Sequence, residues 1–203
     1  MIGVINFPSS NAKSILNAFQ ILGINASLIS TEAEINKSKA FVIPGVGNYI
    51  SLLKDLEISG LDKVIIDNYR SNKKILGICL GMQILGKSSE EAPNSGGLGI
   101  FDYSTVKLNN RSLRVPQIGW NRIEIINDHP ILNNLGKTPC FYFANSFGVL
   151  ENSSFIIATY SYDKKMSAVV CKGNVVGVQF HPEKSQNTGL KLLSNFADWC
   201  DEF

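Results

Sequence analysis

Short apolar runs alternate with longer amphipathic segments through the first half of the chain. These runs are too short for helices and are bounded by turn-forming residues, which is typical of buried strands. They occupy residues 1–7, 26–29, 40–43 and 74–78. Residues 12–22 and 61–70 carry apolar side chains at helical spacing; Ser10 or Asn11 is the expected N-cap of the first helix, and Gly23 its end. The alternation predicts a parallel sheet with helices on both faces.

The second half of the chain, from about residue 105 to residue 170, is richer in short strand signals separated by turns. Two strands are predicted in this segment, at residues 140–143 and 155–160. A buried strand is predicted after it at residues 175–180, and an amphipathic helix at residues 188–199. We expect the strands of this segment to extend the sheet in the antiparallel direction, and residues 88–97 to form a loop. The sequence predicts one α/β domain over residues 1–203, with a doubly wound, mostly parallel sheet and added antiparallel strands.

The strongest chemical signal is G-I-C-L-G-M-Q at residues 77–83, which places Cys79 where a buried strand turns into a helix. Gly77 and Gly81 lack the Cβ atoms that would clash in such a tight turn, as in the Gly-x-Ser-x-Gly elbow of hydrolases. A helix N-terminus favours the reactive thiolate. A lone cysteine at a strand end is more often inert, but the two glycines favour a nucleophile.

His181 and Glu183 supply the partners that a cysteine nucleophile requires. His181 follows the predicted strand directly, and Pro182 favours an extended backbone there. On an extended segment, residues two apart point to the same side, so Glu183 can hold one ring nitrogen while the other accepts the thiol proton. The other histidine, His129, lies in a polar turn, and we expect it to be solvated.

The sequence P-G-V-G at residues 44–47 follows another predicted strand. Two glycines so close let backbone amides turn towards a ligand, and acyl transfer needs such donors for the developing oxyanion. The amide of Leu80, directly after the nucleophile, is a second candidate donor. Alone, this pattern is most often just a loop after a strand.

Together these residues resemble the class I (triad) glutamine amidotransferases, whose fold is flavodoxin-like. Within that class, three segments resemble the glutaminase subunits of imidazole glycerol phosphate synthases: P-G-V-G, P-Q-I-G-W-N at residues 116–121 and F-H-P-E-K-S at residues 180–185. The resemblance implies that Cys79 attacks the side-chain amide of glutamine, that His181, held by Glu183, protonates the departing ammonia, and that water then releases glutamate from the thioester.

The resemblance also implies roles for residues around the triad. Gly47 and Leu80 would form the oxyanion site. Other positions would contact the substrate, namely Gly45, Gln83, Ser146 and Phe147. A third group would lie near a cyclase subunit that receives the ammonia in a heterodimer, namely Trp120, Asn121 and Lys184. From the residues alone, Trp120 could equally be a partly buried core aromatic and Lys184 a solvated surface lysine. No metal or cofactor is implied.

Two positions depart from the pattern of these glutaminase subunits. The family commonly has histidine where this chain has Gln117 and where it has Asn145. Neither position belongs to the triad, but the resemblance places both near the glutamine pocket or the partner. They therefore bear on which synthase receives the ammonia.

Composition fits a small cytoplasmic enzyme. The 203 residues carry a net charge of +2 without a basic stripe, which argues against a nucleic-acid partner. No apolar run approaches the roughly 20 residues of a membrane span, and residues 1–7 form a strand without a basic leader. The four cysteines show neither close pairing nor metal spacing, and a functional thiol needs a reducing compartment.

Three alternatives to a glutaminase subunit of histidine synthesis remain open. The chain could be a paralogue that supplies ammonia to a sugar amidotransferase in surface polysaccharide synthesis. It could be a stand-alone hydrolase of amide or γ-glutamyl bonds, or a catalytically silent binding subunit. The presence of Cys79, His181 and Glu183 disfavours the last of these.

Overall fold

The computed structural model of the chain describes residues 1–8, 10–108, 113–151, 155–162 and 164–201. In chain order its strands are β1 (Ile2–Ile5), β2 (Ala26–Ile29), β3 (Ala40–Ile43), β4 (Lys74–Ile78), β5 (Ser88–Ser89), β6 (Ser104–Lys107), β7 (Gln117–Ile125), β8 (Cys140–Asn145), β9 (Phe147–Val149), β10 (Ile156–Ser161), β11 (Lys165–Lys172) and β12 (Val175–Val178). Its α-helices are α1 (Ala12–Ile21), α2 (Glu32–Lys37), α3 (Tyr49–Ser59), α4 (Leu61–Arg70), α5 (Leu80–Ile84) and α6 (Gln186–Trp199), and short 3₁₀ helices lie at Pro130–Leu132 and Pro182–Lys184. Of the helices in these described ranges, none has the length and apolar character needed to cross a bilayer.

Nine of the strands in the described residues form one sheet in the order β2-β1-β3-β4-β12-β11-β10-β7-β8. The first five strands pair in parallel, and every pair from β12 to β8 is antiparallel. A smaller sheet contains β5, β6 and β9. The predicted α/β fold with a parallel core and added antiparallel strands is confirmed, and the parallel pairing is confined to one half of the large sheet.

Helices cover both faces of the parallel half, as its apolar strands predict. Successive side chains of β3 alternate between two cores: Ala40 and Val42 pack under α1 and α6, while Phe41 and Ile43 pack under α2 to α5. The predicted helix at residues 61–70 matches α4, and Gly23 ends the first helix region with a φ of 68°.

Three predictions of local structure were wrong or incomplete. Helices α2 and α3 were not predicted, although Thr31 caps α2 in a capping box with Glu34 and Asn48 caps α3. The segment at residues 88–97 is not a free loop, because it contains β5 and is held by hydrogen bonds such as that from the Gly97 N–H to the Lys87 carbonyl oxygen, 2.9 Å. Asn11 occupies the N-cap position of α1, but its side chain makes no cap hydrogen bond.

Three glycines bring β3, β4 and α5 into backbone contact. A Cβ on Gly81 would lie 2.0 Å from the carbonyl oxygen of Ile43. A Cβ on Gly77 would lie 2.7 Å from the carbonyl oxygen of Gly81, and a Cβ on Gly45 would lie 2.6 Å from the amide nitrogen of Gly81. No side chain fits at these places without moving the backbone, so the start of α5 lies directly on the ends of two strands.

We expect Gly81→Ala to lower the free energy of unfolding by about 2–3 kcal/mol, because the new methyl group meets the backbone of β3. Gly96→Ala is the matched control: the nearest atom to its Cβ would be 3.8 Å away, and we expect a change within about 0.5 kcal/mol. Urea denaturation followed by circular dichroism measures both. Equal losses of stability in the two variants would contradict the proposed contact.

Candidate active site

The nucleophile candidate Cys79 lies between β4 and α5 in a strained backbone conformation. Its φ is 53° and its ψ is −108°, a region that residues other than glycine rarely adopt and that concentrates at functional sites. Its N–H donates to the carbonyl oxygen of Val178 on β12, 2.8 Å. The residue as a whole is 6% exposed. The predicted strand-to-helix elbow is present, with Gly77 and Gly81 providing the space that it needs.

His181 follows β12 and is held against β8. Its N–H donates to the carbonyl oxygen of Tyr142, 2.9 Å. Ser185 Oγ donates to the carbonyl oxygen of His181, 2.6 Å, and accepts from the Tyr142 N–H, 2.9 Å. The backbone of the histidine is therefore fixed by the antiparallel half of the sheet, while the cysteine is fixed by the parallel half.

Glu183 contacts His181 from a 3₁₀ helix rather than from the extended segment that we predicted. Its Oε1 lies 2.8 Å from His181 Nδ1, and its side chain is fully buried. The turn at Pro182–Lys184 brings the carboxylate back towards the ring. Both arrangements place the carboxylate on one nitrogen and leave the other for the thiol.

The electrostatics of this group favour a charged histidine. Burial lowers the pKa of His181, but the charge and hydrogen bond of Cys79 and those of Glu183 raise it, and the outcome is a pKa of about 10. An imidazolium next to a cysteine favours the thiolate over the thiol, and the thiolate is the reactive form. Gln179 adds a donor on the far side, with its Nε2 3.7 Å from Cys79 Sγ.

A cavity of about 320 Å³ opens beside the thiol, within the range of small-molecule sites. The candidate residues that line it are Gly47, Cys79, Leu80, Gln83, Ser146, Phe147, His181 and Lys184. Gly45, predicted to contact a substrate, does not line it, because it is packed against Gly81. Trp120 and Asn121 also lie elsewhere, on β7. Trp120 is 49% exposed, so it is not a core aromatic.

Gln83 lines the cavity and is held there by two hydrogen bonds. Its Nε2 donates to the carbonyl oxygen of Phe147, 2.9 Å, and to Gln179 Oε1, 3.2 Å. Because Gln179 in turn contacts Cys79, the two buried amides connect the cavity wall to the nucleophile. Gln179 was not predicted from the sequence, since a single glutamine within an apolar run carries no pattern of its own.

Glu91 was also missed, and it holds the loop that carries Gly47. Its Oε1 accepts from Asn48 Nδ2, 3.0 Å, and from the Tyr49 N–H, 3.3 Å. Glu91 lines the cavity, and burial raises the pKa of its carboxyl. Gly47 itself has a φ of 87°, a conformation that strongly favours glycine. The predicted oxyanion loop is therefore fixed at the cavity edge.

Gln117 and Asn145, the two departures from the family pattern, are directly opposite each other in the β7–β8 pair. Both are buried, and side chains of opposed residues lie on the same face of a sheet. Asn145 Nδ2 donates to the carbonyl oxygen of Phe147, 3.0 Å. Among the described residues, Gln117 Oε1 and Asn145 Oδ1 have no hydrogen-bond partner. The two departures are thus buried polar neighbours in the sheet, and Asn145 lines the cavity.

His129 is not the solvated turn residue that we predicted. Its ring lies 4.9 Å from the ring of Trp199 on α6, and its Nδ1 accepts from the Ile131 N–H, 3.2 Å. Burial, assisted by the charge of Lys74, lowers the pKa of His129 to about 4. His129 is therefore neutral, structural and separate from the cavity.

The sequence matches the family model described as glutamine amidotransferase class-I over residues 3–199. The chain belongs to the class-I glutamine amidotransferases. An imidazole glycerol phosphate synthase subunit HisH from Leptospira interrogans is 39% identical over 203 residues, covering 97% of this chain and 99% of that protein. The subunit of the same name from Bacillus subtilis (strain 168) is 35% identical, covering 100% of this chain and 98% of that protein.

Solved structures agree with the fold. A crystal structure of a glutamine amidotransferase superposes with a TM-score of 0.78 at 19% identity, covering 99% of both chains. PurLQS from Thermotoga maritima gives a TM-score of 0.76 at 21% identity, covering 98% of this chain and 97% of that chain. The predicted family, the fold and the class of enzyme, a glutaminase, are confirmed.

We expect neither histidine of this amidotransferase to titrate near 6.5, the ordinary pKa of a histidine side chain. As pH rises, His181 should stay an imidazolium until about pH 10, because Cys79 and Glu183 stabilise its charge. His129 should stay neutral until the pH falls to about 4. NMR titration of the two imidazole Cε1–H signals, assigned with His129→Gln, measures both. A signal that titrates between pH 6 and 7 and survives His129→Gln would contradict the ion pair.

Proposed function

We propose that this chain is the glutaminase subunit of an imidazole glycerol phosphate synthase and that Cys79, His181 and Glu183 are its catalytic triad. The observation that carries the chemistry is the buried contact of these three side chains beside a cavity of amino-acid size. The similarity to HisH subunits over nearly the whole chain supports the pathway.

The reaction follows from the protonation states of the triad. The Cys79 thiolate attacks the side-chain carbonyl carbon of glutamine, and the imidazolium of His181 donates its proton to the leaving nitrogen, so that ammonia departs and a thioester remains. Water then attacks the thioester while neutral His181 accepts its proton, and glutamate leaves. Glu183 keeps the ring in orientation throughout and is not itself protonated.

The backbone N–H groups of Gly47 and Leu80 are the proposed donors to the oxyanion. Leu80 is the first residue of α5, where backbone N–H groups have no acceptor within the helix. Gly47 lies on the loop fixed by Glu91. The charges of the cavity also suit a free amino acid, because Glu91 can accept from an α-ammonium group and Lys184 can donate to an α-carboxylate.

A cyclase subunit is the proposed partner, and Trp120, Asn121 and Lys184 are proposed to face it. Ile118 and Trp120 are 67% and 49% exposed on β7, which suits a surface that a protein covers. Lys184 is exposed at the cavity edge, 5.9 Å from the ring of Tyr142. We place the heterodimer in the cytoplasm, where thiols stay reduced.

A sugar amidotransferase is a second candidate for the ammonia acceptor. The observation that favours it is the buried pair of Gln117 and Asn145, since the usual histidines of these glutaminase subunits are absent at both positions together. The triad is the same under either proposal, so only an assay with the partner separates them.

The deciding experiment measures glutamate release by the purified chain, alone and with the same organism's cyclase and its phosphoribosyl ligand. We expect strong stimulation by the cyclase. Stimulation by a sugar amidotransferase instead would assign the second acceptor, and full activity of the chain alone would indicate a stand-alone hydrolase. Cys79→Ala should lower glutamine-dependent synthesis by at least about 10³-fold and leave ammonia-dependent synthesis intact. Loss of both would contradict ammonia delivery.

We expect Glu91→Gln to raise the KM for glutamine about ten-fold or more with little change in kcat, because a charged hydrogen bond to the substrate ammonium is lost. The glutamine side chain keeps an oxygen that can accept from Asn48 and Tyr49, so the loop stays in place. Glu57→Gln, on the exposed side of α3, is the control. A fall in kcat without a change in KM would show instead that Glu91 acts on the oxyanion loop.

A further inference from the structure

Asn11 stands at the N-cap of α1 and does not cap it. Asparagine is among the preferred N-cap residues because its side-chain oxygen accepts from the first free amides of a helix. In this structure the side chain makes no such bond. Its Nδ2 instead donates to Glu183 Oε1, 2.5 Å away. A residue suited to start a helix has its amide directed to the carboxylate of the proposed triad.

The contact joins the beginning and the end of the chain in a buried place. Asn11 and Glu183 are 172 residues apart, and α1 packs against both α6 and the 3₁₀ helix that carries Glu183. Glu183 is fully buried. Within the described ranges, Glu183 Oε2 and Asn11 Oδ1 have no hydrogen-bond partner, so this contact and the one to His181 are what fix the carboxylate.

Both donors meet the same oxygen. His181 Nδ1 lies 2.8 Å and Asn11 Nδ2 2.5 Å from Glu183 Oε1. With the histidine alone, the carboxylate could rotate and keep a single bond in many orientations. A second donor from a different element restricts it to one. The N-terminus of α1 adds a positive dipole end on the same side.

We propose that Asn11 is a positioning residue of the glutaminase, whose side-chain amide holds Glu183 Oε1 against His181. This inference rests on the proposed function of the triad. Asn11 does not line the cavity, so it acts through Glu183 and not on the substrate. The titratable groups that face His181 are Cys79 and Glu183, and those at the cavity edge are Glu91 and Lys184.

Substitutions that cap well but cannot donate separate this role from a purely structural one. Asn11→Ser and Asn11→Asp both keep a preferred N-cap residue, so a capping role would leave activity and melting temperature unchanged. Serine is too short to reach Glu183, and aspartate replaces the donor with a like charge. We expect both variants to fold and kcat to fall about ten- to a hundred-fold in the complex with the synthase, with KM for glutamine unchanged.

The second readout is the NMR titration of His181 in the isolated chain. With Glu183 free to turn away, less of its charge supports the imidazolium, so the midpoint in Asn11→Ser should move below the value of about 10. Asn17→Ser, on the exposed face of the same helix, should change neither kcat nor the titration.

The outcomes separate the two proposals. The positioning role would be overturned if Asn11→Ser kept the wild-type kcat and an unchanged His181 titration. If Asn11→Ser failed to fold, a wild-type kcat in Asn11→Asp would overturn the role instead. Cys79→Ala is assayed in parallel: full glutamine hydrolysis by that variant would overturn the triad itself, whereas its inactivity beside a wild-type Asn11→Ser would overturn only the role of Asn11.

Discussion

Gly81 lies with its backbone directly on the carbonyl oxygen of Ile43, so that α5 begins where β3 ends. Because this contact leaves no room for a side chain, the turn from β4 into α5 must be sharp, and Cys79 takes up the strain as a positive φ. The loop that carries Gly47 leaves the same end of β3. The proposed nucleophile and the proposed oxyanion loop are therefore fixed relative to each other by the backbone, before any side chain contributes.

The buried charges of the site depend on this rigid frame. An ion pair removed from water is costly unless its geometry is good and its remaining polar atoms are satisfied. Gln179 Nε2 lies 3.7 Å from Cys79 Sγ, and His181 contacts both Cys79 and Glu183. Because the backbone fixes these residues, the contacts of His181 with Cys79 and Glu183 persist, and they raise the pKa of His181 although burial lowers it.

Features that depend on neighbouring residues could be predicted from the sequence, and features that depend on strand register or on distant segments could not. The elbow at Cys79 and the alternation of strands and helices follow from local spacing. The opposition of Gln117 and Asn145 requires the β7–β8 register, and the contact of Asn11 with Glu183 spans almost the whole chain. His129 has a polar sequence context, but Trp199 covers it in the fold. Thr31 and Glu34 form a capping signal for α2 that is visible in the sequence, but α2 is too short to show a helical pattern of apolar residues.

The division of the sheet explains how the site can vary without losing its chemistry. β12 pairs in parallel with β4 and antiparallel with β11, so Cys79 and His181 follow adjacent strands at the boundary between the two halves. Other parts of the cavity wall come from elsewhere: Asn145 from the antiparallel half of the large sheet, and Phe147 from β9 of the smaller sheet. Substitutions in the antiparallel half leave the glycine contacts of the elbow untouched. The departures at Gln117 and Asn145 lie in that half, so a change of the proposed ammonia acceptor is compatible with an intact proposed triad.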